Sequence, residues 1–325
     1  MTKYLIRRLD RSNEDDRTIW REFLGKSYGM TIFHNPDFLS YHEEKFNEHH
    51  IGVYKGEQLL GIMPMAIISE DSSQIARSPY GASYGGIIFS SVMSYSNSKA
   101  ILNSIIEYLK SLSVNEVIIT SPTGICYTVY SDTFLFVMME AGFTVINSDV
   151  TSIVCLSDID LAKKTFTSRA RNMQKKARKE GVTVIENAEV DIFWEVMDKT
   201  FKRHGESPTH SKEEFKYLNS LFPDDIYCDI AVFDKKPIAG IGYFTLNKYV
   251  CMSFYLCNDI DYKETQALSL LVYDSIIKSQ QKKFKYFDFG TSSVNMRARE
   301  NIFFFKESFG AVGRFRNTFH LKIHD

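Results

Sequence analysis

The sequence has no pair of cysteines at C-x-x-C spacing; its five, Cys126, Cys155, Cys228, Cys251 and Cys257, are scattered and odd in number. That pattern argues against a zinc site and a disulfide framework, and for single reduced thiols. Net charge is nearly absent as well, −1 over 325 residues. Attraction to nucleic acid or anionic lipid must therefore come from a local patch, since a whole-molecule field would not supply it. No apolar run approaches the roughly 20 residues of a membrane span, and Met1 to Arg8 lack the apolar stretch of a signal peptide. The expectation is a cytoplasmic protein with no transmembrane segment and no metal. No Ser-His-Asp ordering or Cys-His signature marks a covalent nucleophile.

What is present is ordinary globular material, 44% hydrophobic and 24% charged, with 14% aromatic residues and enough length for two domains. No low-complexity linker divides the chain, but a weak internal repeat does. In the first half, a Lys55-Gly56 turn feeds the strand Glu57 to Met65; Lys99 to Ser111 then has helical spacing, and the strand Glu116 to Ile119 follows. The second half repeats the order: a turn at Lys235-Lys236, the strand Pro237 to Phe244, a helix Gln266 to Ser279 and the strand Phe284 to Phe289. Each half then closes with a short aromatic helix and a glycine, Phe134 to Gly142 and Phe303 to Gly310. Mixed α/β order used twice argues for duplicated domains, 1–150 and 151–325, meeting near residues 148–160.

Between the halves lies a basic segment. Ala162, Phe166, Ala170, Met173 and Ala177 form a narrow apolar stripe at helical spacing, with Ser157 or Asp158 as the cap at its start and Gly181 at its end. Around the stripe sit Lys163, Lys164, Arg169, Arg171, Lys175, Lys176, Arg178 and Lys179, against the single acid Glu180. A solvated helix face explains many such runs. Here the excess of bases favours contact with a phosphate-bearing ligand through residues such as Lys175 and Lys176.

Four stretches carry a family resemblance. They are Thr31-Ile32-Phe33-His34-Asn35-Pro36-Asp37-Phe38-Leu39, the basic run Ser168 to Ala177 ending in Gly181-Val182, Tyr286-Phe287-Asp288-Phe289-Gly290-Thr291-Ser292, and Phe305-Lys306-Glu307-Ser308-Phe309-Gly310-Ala311. In this order the chain resembles the tandem-domain acyltransferases of the GNAT superfamily, close to the Fem peptidyltransferases and their acetyltransferase-like relatives. The resemblance implies an α/β fold of two GNAT-like domains, the first degenerate and the second carrying the active site. It also implies transfer of an acyl or aminoacyl group to an amine of a cell-envelope or polysaccharide precursor, with acyl-CoA or aminoacyl-tRNA as donor. One departure stands out. Where ordinary GNAT enzymes place a glycine-rich pyrophosphate loop, this chain has Asp259-Ile260-Asp261-Tyr262-Lys263-Glu264-Thr265-Gln266-Ala267, without glycine. A helix starting at Thr265 and Gln266 can still receive a phosphate, although Asp259, Asp261 and Glu264 oppose one.

Acyl transfer to an amine needs a neutral amine, a stabilised oxyanion and a neutralised leaving group. Aligning the repeats on Gly142 and Gly310 puts Met138 opposite Lys306. The apolar residue in one copy and the ammonium in the other fit one spent and one live site, with Lys306 holding a phosphate or the oxyanion. An exposed helix lysine within an aromatic run is the plainer reading. Asp288, at a strand end before Gly290, either serves the amine or caps the following loop. Arg297 and Arg299 are candidate phosphate or carboxylate forks. Resemblance places Arg203 near an acceptor channel, and His204 beside it is either a base or a helix-end structural residue. Tyr80 and Tyr84, in an aromatic glycine-rich loop, either line the acceptor cleft or connect two strands. Three functions are compatible with these residues: an acyl-CoA-dependent N-acyltransferase, an aminoacyl-tRNA-dependent ligase and a non-catalytic binding module. Oligomeric state is not written in the sequence.

Overall fold

The computed structural model describes residues 4–70 and 73–323, with the side chains of Ile159 and His204 outside the description. The chain divides into two compact units, Met1–Asp149 with Phe315–Asp325, and Val150–Arg314. Among the described residues, no helix is long and apolar enough to cross a membrane.

The first unit begins with β1 (Leu5–Leu9), α1 (Glu14–Lys26) and the short α2 (Pro36–Leu39). Asn13 caps α1 by accepting from the Asp16 amide, and three acids follow in the first turn, where the helix dipole favours them. Next come β2 (His50–Lys55), β3 (Gln58–Met63), β4 (Ala66–Glu70), β5 (Ser73–Ser78) and β6 (Ile88–Phe89). Four of these form a sheet in the order β1-β2-β3-β6. The helix α3 (Tyr95–Ser111) buries Ile101, Leu102, Ile105 and Leu109, one stripe of a 3.6-residue period. It is followed by β7 (Glu116–Thr120), α4 (Thr133–Glu140) and the long β8 (Thr144–Cys155). β4 pairs with β5, and β5 runs parallel to β7.

The second unit opens with α5 (Ile159–Thr165) and α6 (Ser168–Lys179). The sequence reads this stretch as one helix. It is two, because Phe166 and Thr167 are extended and each helix has its own cap, Asp158 for α5 and Thr167 for α6. The Phe166 ring at the break is buried against Tyr273 and Phe309. Then follow β9 (Thr183–Ile185), α7 (Val190–His204), α8 (Lys212–Leu221), β10 (Ile226–Phe233), β11 (Lys236–Asn247) and β12 (Val250–Asn258). After a short 3-10 turn, Ile260–Thr265, come α9 (Ala267–Gln281), β13 (Tyr286–Thr291), the hairpin strands β14 (Ser293–Val294) and β15 (Arg297–Ala298), and α10 (Glu300–Ser308). β9 to β12 form an antiparallel meander, β12 runs parallel to β13, and β13 pairs antiparallel with Thr151 to Cys155 of β8. α9 lies against this sheet with Leu270, Leu271, Val272 and Ile276 in the core.

The last strand, β16 (Val312–Lys322), returns to the first unit. Its residues 318–322 pair antiparallel with β7, and Phe319 and Leu321 join that unit's core. The sequence boundary assigns these residues to the second domain. They cluster instead with the first, because the backbone partners and apolar neighbours they need are there.

Candidate functional site

Two features of the second unit build the site. The first is the parting of β12 and β13. Among the described residues their parallel pairing covers Val250–Met252 and Tyr286–Asp288, after which β12 continues to Asn258 beside β11 and β13 continues to Thr291 beside β8. The second is the start of α9. Gln266 caps it in the left-handed conformation, φ +59°, a place where glycine is common and where an L-residue pays a steric cost. The Ala267 amide turns back to Thr265 Oγ1, whereas the amides of Leu268 and Ser269 have no acceptor among the described residues. Such first-turn amides, with the helix dipole behind them, attract anions.

These amides border a cavity of about 650 Å³. Arg169 and Met173 of α6 line one side, the segment Asn258 to Ser269 the base, and Asn301, Phe304, Phe305 and Ser308 of α10 the other side. Asp259, also in the lining, is neutralised by Lys199 at 2.7 Å. Burial works against its charge, but the Lys199 and Asp261 hydrogen bonds hold the carboxyl below its usual range. Lys176 donates to the Glu264 carbonyl at 2.7 Å and so ties the basic helix to the cavity edge.

Among the described residues, Gln266 is the one expected site residue that lines this cavity. Thr265 is buried and closes the preceding turn by donating to the Tyr262 carbonyl at 2.7 Å. Lys175, Arg203 and Arg297 are exposed away from the lining. Arg299 is exposed too, with a loose ion pair to Glu206 at 3.9 Å. The expected base His204 has a side chain outside the described residues. Tyr80 and Tyr84 lie in the first unit's interior, 3% and 2% exposed, and do not present themselves as an open acceptor wall. The Tyr80 hydroxyl donates to Glu48 at 3.0 Å, and the Arg316 guanidinium lies over the Tyr84 ring.

Lys306 is not the exposed helix lysine of the plainer reading, and it does not line this cavity; it is 3% exposed and donates to the carbonyls of Gly290 and Thr291 at 2.9 and 2.7 Å. Burial lowers its pKa to about 8, with Asp288 opposing that shift and Arg299 adding to it. Asp288 is fully buried and accepts from the Thr151 hydroxyl at 2.5 Å and the Gly290 amide at 2.8 Å. The pair therefore fixes the turn that ends β13, where Gly290 has φ +72°. Gly310, ending α10 at φ +72°, admits no larger residue, since a Cβ there would meet Thr165 Oγ1 at 1.9 Å.

Three of the second unit's thiols are buried and offer little nucleophilic character. Burial raises Cys228 to about 12 and Cys251 to about 11, and Cys257 also lies well above its ordinary value for the same reason. In the sequence Arg169 stands only as one base of the run, Met173 as part of the apolar stripe and Tyr262 within the loop that lacks glycine; Phe304 is given no role of its own. A signal for the last existed: three successive phenylalanines, Phe303 to Phe305, on a nine-residue helix cannot all face one core.

This arrangement, a meander, a helix starting beside two parting parallel strands, then strand, helix and strand, is a GNAT-like fold. Its tandem form appears in solved structures. The crystal structure of FemX is similar over 94% of this chain and 96% of its own, with TM-score 0.70 and 13% identity. The C-terminal domain of an Agrobacterium fabrum protein assigned as a lysylphosphatidylglycerol synthetase covers 97% of this chain and 93% of its own, with TM-score 0.63 and 11% identity. A tandem GNAT protein from the clavulanic acid biosynthesis pathway matches over 99% of each chain, with TM-score 0.58 and 9% identity. At these identities the likeness establishes the fold. No family model and no curated protein matches the sequence.

Proposed function

We propose that this protein is a transferase of the GNAT kind that moves an acyl or aminoacyl group to an amine of a cell-envelope component. The observation that carries the reading is the 650 Å³ cavity at the start of α9, with the Leu268 and Ser269 amides and the Arg169 guanidinium at its border. A donor with phosphate groups fits amides and a cation so arranged. Acyl-CoA is the donor we favour. The cell-envelope acceptor rests on two neighbours, FemX and the assigned lysylphosphatidylglycerol synthetase. A site of this kind accelerates transfer by holding donor and amine together, without a protein nucleophile. The raised thiol pKa values of Cys228 and Cys251 agree with direct transfer.

Aminoacyl-tRNA is the second donor, supported by the basic α6 and by Gln266 in place of a glycine loop. The experiment is thiol release from a panel of acyl-CoAs with amino-sugar and peptide amines, run beside aminoacyl-tRNA consumption with the same acceptors. We expect amine-dependent consumption of one donor. Arg169→Glu, a change at an exposed residue, raises the KM for that donor about tenfold with little change in kcat. Failure of both donors across the panel would remove the transferase reading in favour of a binding module.

A further inference from the structure

The first unit holds a cavity of its own, about 60 Å³, between the end of β6, the start of α3 and the start of α4. One water needs roughly 15 Å³. Every described residue that borders this cavity belongs to the first unit, and none of them carries a charge. Rings and aliphatic chains make most of the wall, among them Phe89, Met93, Phe134 and Met138. The Tyr127 ring completes it beside Gly29, where a Cβ would overlap the ring. One hydroxyl in the wall stands out. Ser98 is fully buried, and among the described residues its Oγ has no hydrogen-bond partner. It also interrupts a pattern, because Ser98, Leu102, Ile105 and Leu109 share the buried stripe of α3 and the other three are aliphatic. A buried hydroxyl left unbonded is costly and uncommon in native proteins, so this position calls for a bonding atom inside the cavity.

The opening does not end at Ser98. A second void of about 10 Å³ follows along α3, bordered by Leu102, Ile105, Ile106 and Leu109 and lined by apolar side chains alone. Ile87, Ile119 and Phe134 border both voids. From Ser98 to Leu109 the helix runs about 16 Å. Polarity therefore falls along the line, from hydroxyls around Ser98 to aliphatic walls beyond it. A narrow uncharged path of this kind has the form of an alkyl chain with one oxygen function at its head. A charged head would lose its hydration there and find no counter-ion. At the mouth Val92 and Tyr130 are exposed, so the way in passes over an apolar lip.

We infer that the first unit binds the alkyl chain of a neutral amphiphile, an alcohol, ester or amide, with Ser98 holding the head oxygen and the chain lying along α3 toward the second void. The inference is independent of the transferase reading, since every residue it uses lies outside the cavity of the second unit.

The probes are the straight-chain alcohols from 1-butanol to 1-decanol, titrated calorimetrically into the full chain beside hexane and hexanoate. Affinity of the wild type rises about fourfold with each methylene and levels off before 1-decanol, where the path is full. Hexanoate binds at least about tenfold more weakly than 1-hexanol. Ser98→Ala, a smaller residue that folds without strain, weakens 1-hexanol about fivefold and leaves hexane unchanged. Ser98→Leu fills the cavity and removes binding of every probe without lowering Tm. Phe134→Ala joins the two voids and moves the limit to a longer chain. Phosphatidylcholine vesicles with and without monooleoylglycerol then separate the sources: co-sedimentation with the doped vesicles alone marks a lipid chain, and alcohol binding without co-sedimentation marks a soluble amphiphile. Three results overturn the site: no alcohol binds, affinity climbs to 1-decanol without a limit as in non-specific partition, or Ser98→Ala and Ser98→Leu both bind 1-hexanol with full affinity. None of these outcomes touches the transferase reading, whose own test is donor consumption.

Discussion

At the scale of single residues, Lys306 is the most consequential side chain to emerge. A buried ammonium is costly, and here its hydrogens serve two carbonyls at the end of β13. A neutral amine can still donate to both. The folded-state pKa of about 8 lies below the ordinary 10.5, so between these values the folded protein binds fewer protons than the unfolded chain. Stability from this group therefore rises with pH across that window and is constant below it. We expect Lys306→Met to lower stability by roughly 1–3 kcal/mol at pH 7. In denaturant titrations the gap to wild type should widen between pH 8 and 10; a gap independent of pH would show that the ammonium is not desolvated. Met138, its counterpart in the repeat, is equally buried, at 1%.

At the scale of elements, α6 combines two roles that its composition merges. Ala170 and Ala177 are buried, Arg178 pairs with Asp274 of α9, and Lys176 holds the Glu264 carbonyl; these secure the helix. Lys175 and Lys179 face solvent and are free for a polyanion. Arg178→Ala should lower Tm by leaving Asp274 without its partner, a carboxyl whose pKa burial already raises against the pull of Arg178. The double change Lys175→Ala with Lys179→Ala should stay within about 0.5 kcal/mol of wild type. If aminoacyl-tRNA is the donor, that double variant also shows a shallower dependence of affinity on salt. An unchanged slope would argue that these lysines meet no polyanion. The break between α5 and α6 was illegible in the run of bases, since only the packing of Phe166 decides where the stripe is interrupted.

At the scale of the whole molecule, the two units are not two consecutive lengths of chain. Residues 315–325 belong with the first unit, so the chain visits it twice. Phe319 and Leu321 are 2% and 7% exposed there, and β16 supplies the partners of β7. Truncation after Arg314 should therefore unfold or severely destabilise the first unit, seen in calorimetry as the loss or downward shift of one transition. A single unchanged transition would contradict the division.

The sequence alone determined what depends on near neighbours: the repeated order of helices and strands, the amphipathic stripe of α3, and the glycines ending α4 and α10 at positive φ. Local periodicity and backbone sterics act over a few residues, so a reader of the chain can see them. The F-K-x-x-F-G segment was also visible, but its role was not. Tertiary structure alone decided that Lys306 turns inward to Gly290 and Thr291, that Tyr80 and Tyr84 are buried, and that Arg169, Gln266 and Phe304 share one cavity. Each of those outcomes joins residues distant in the chain, and which groups meet is settled by long-range packing and by where each charge can find a partner.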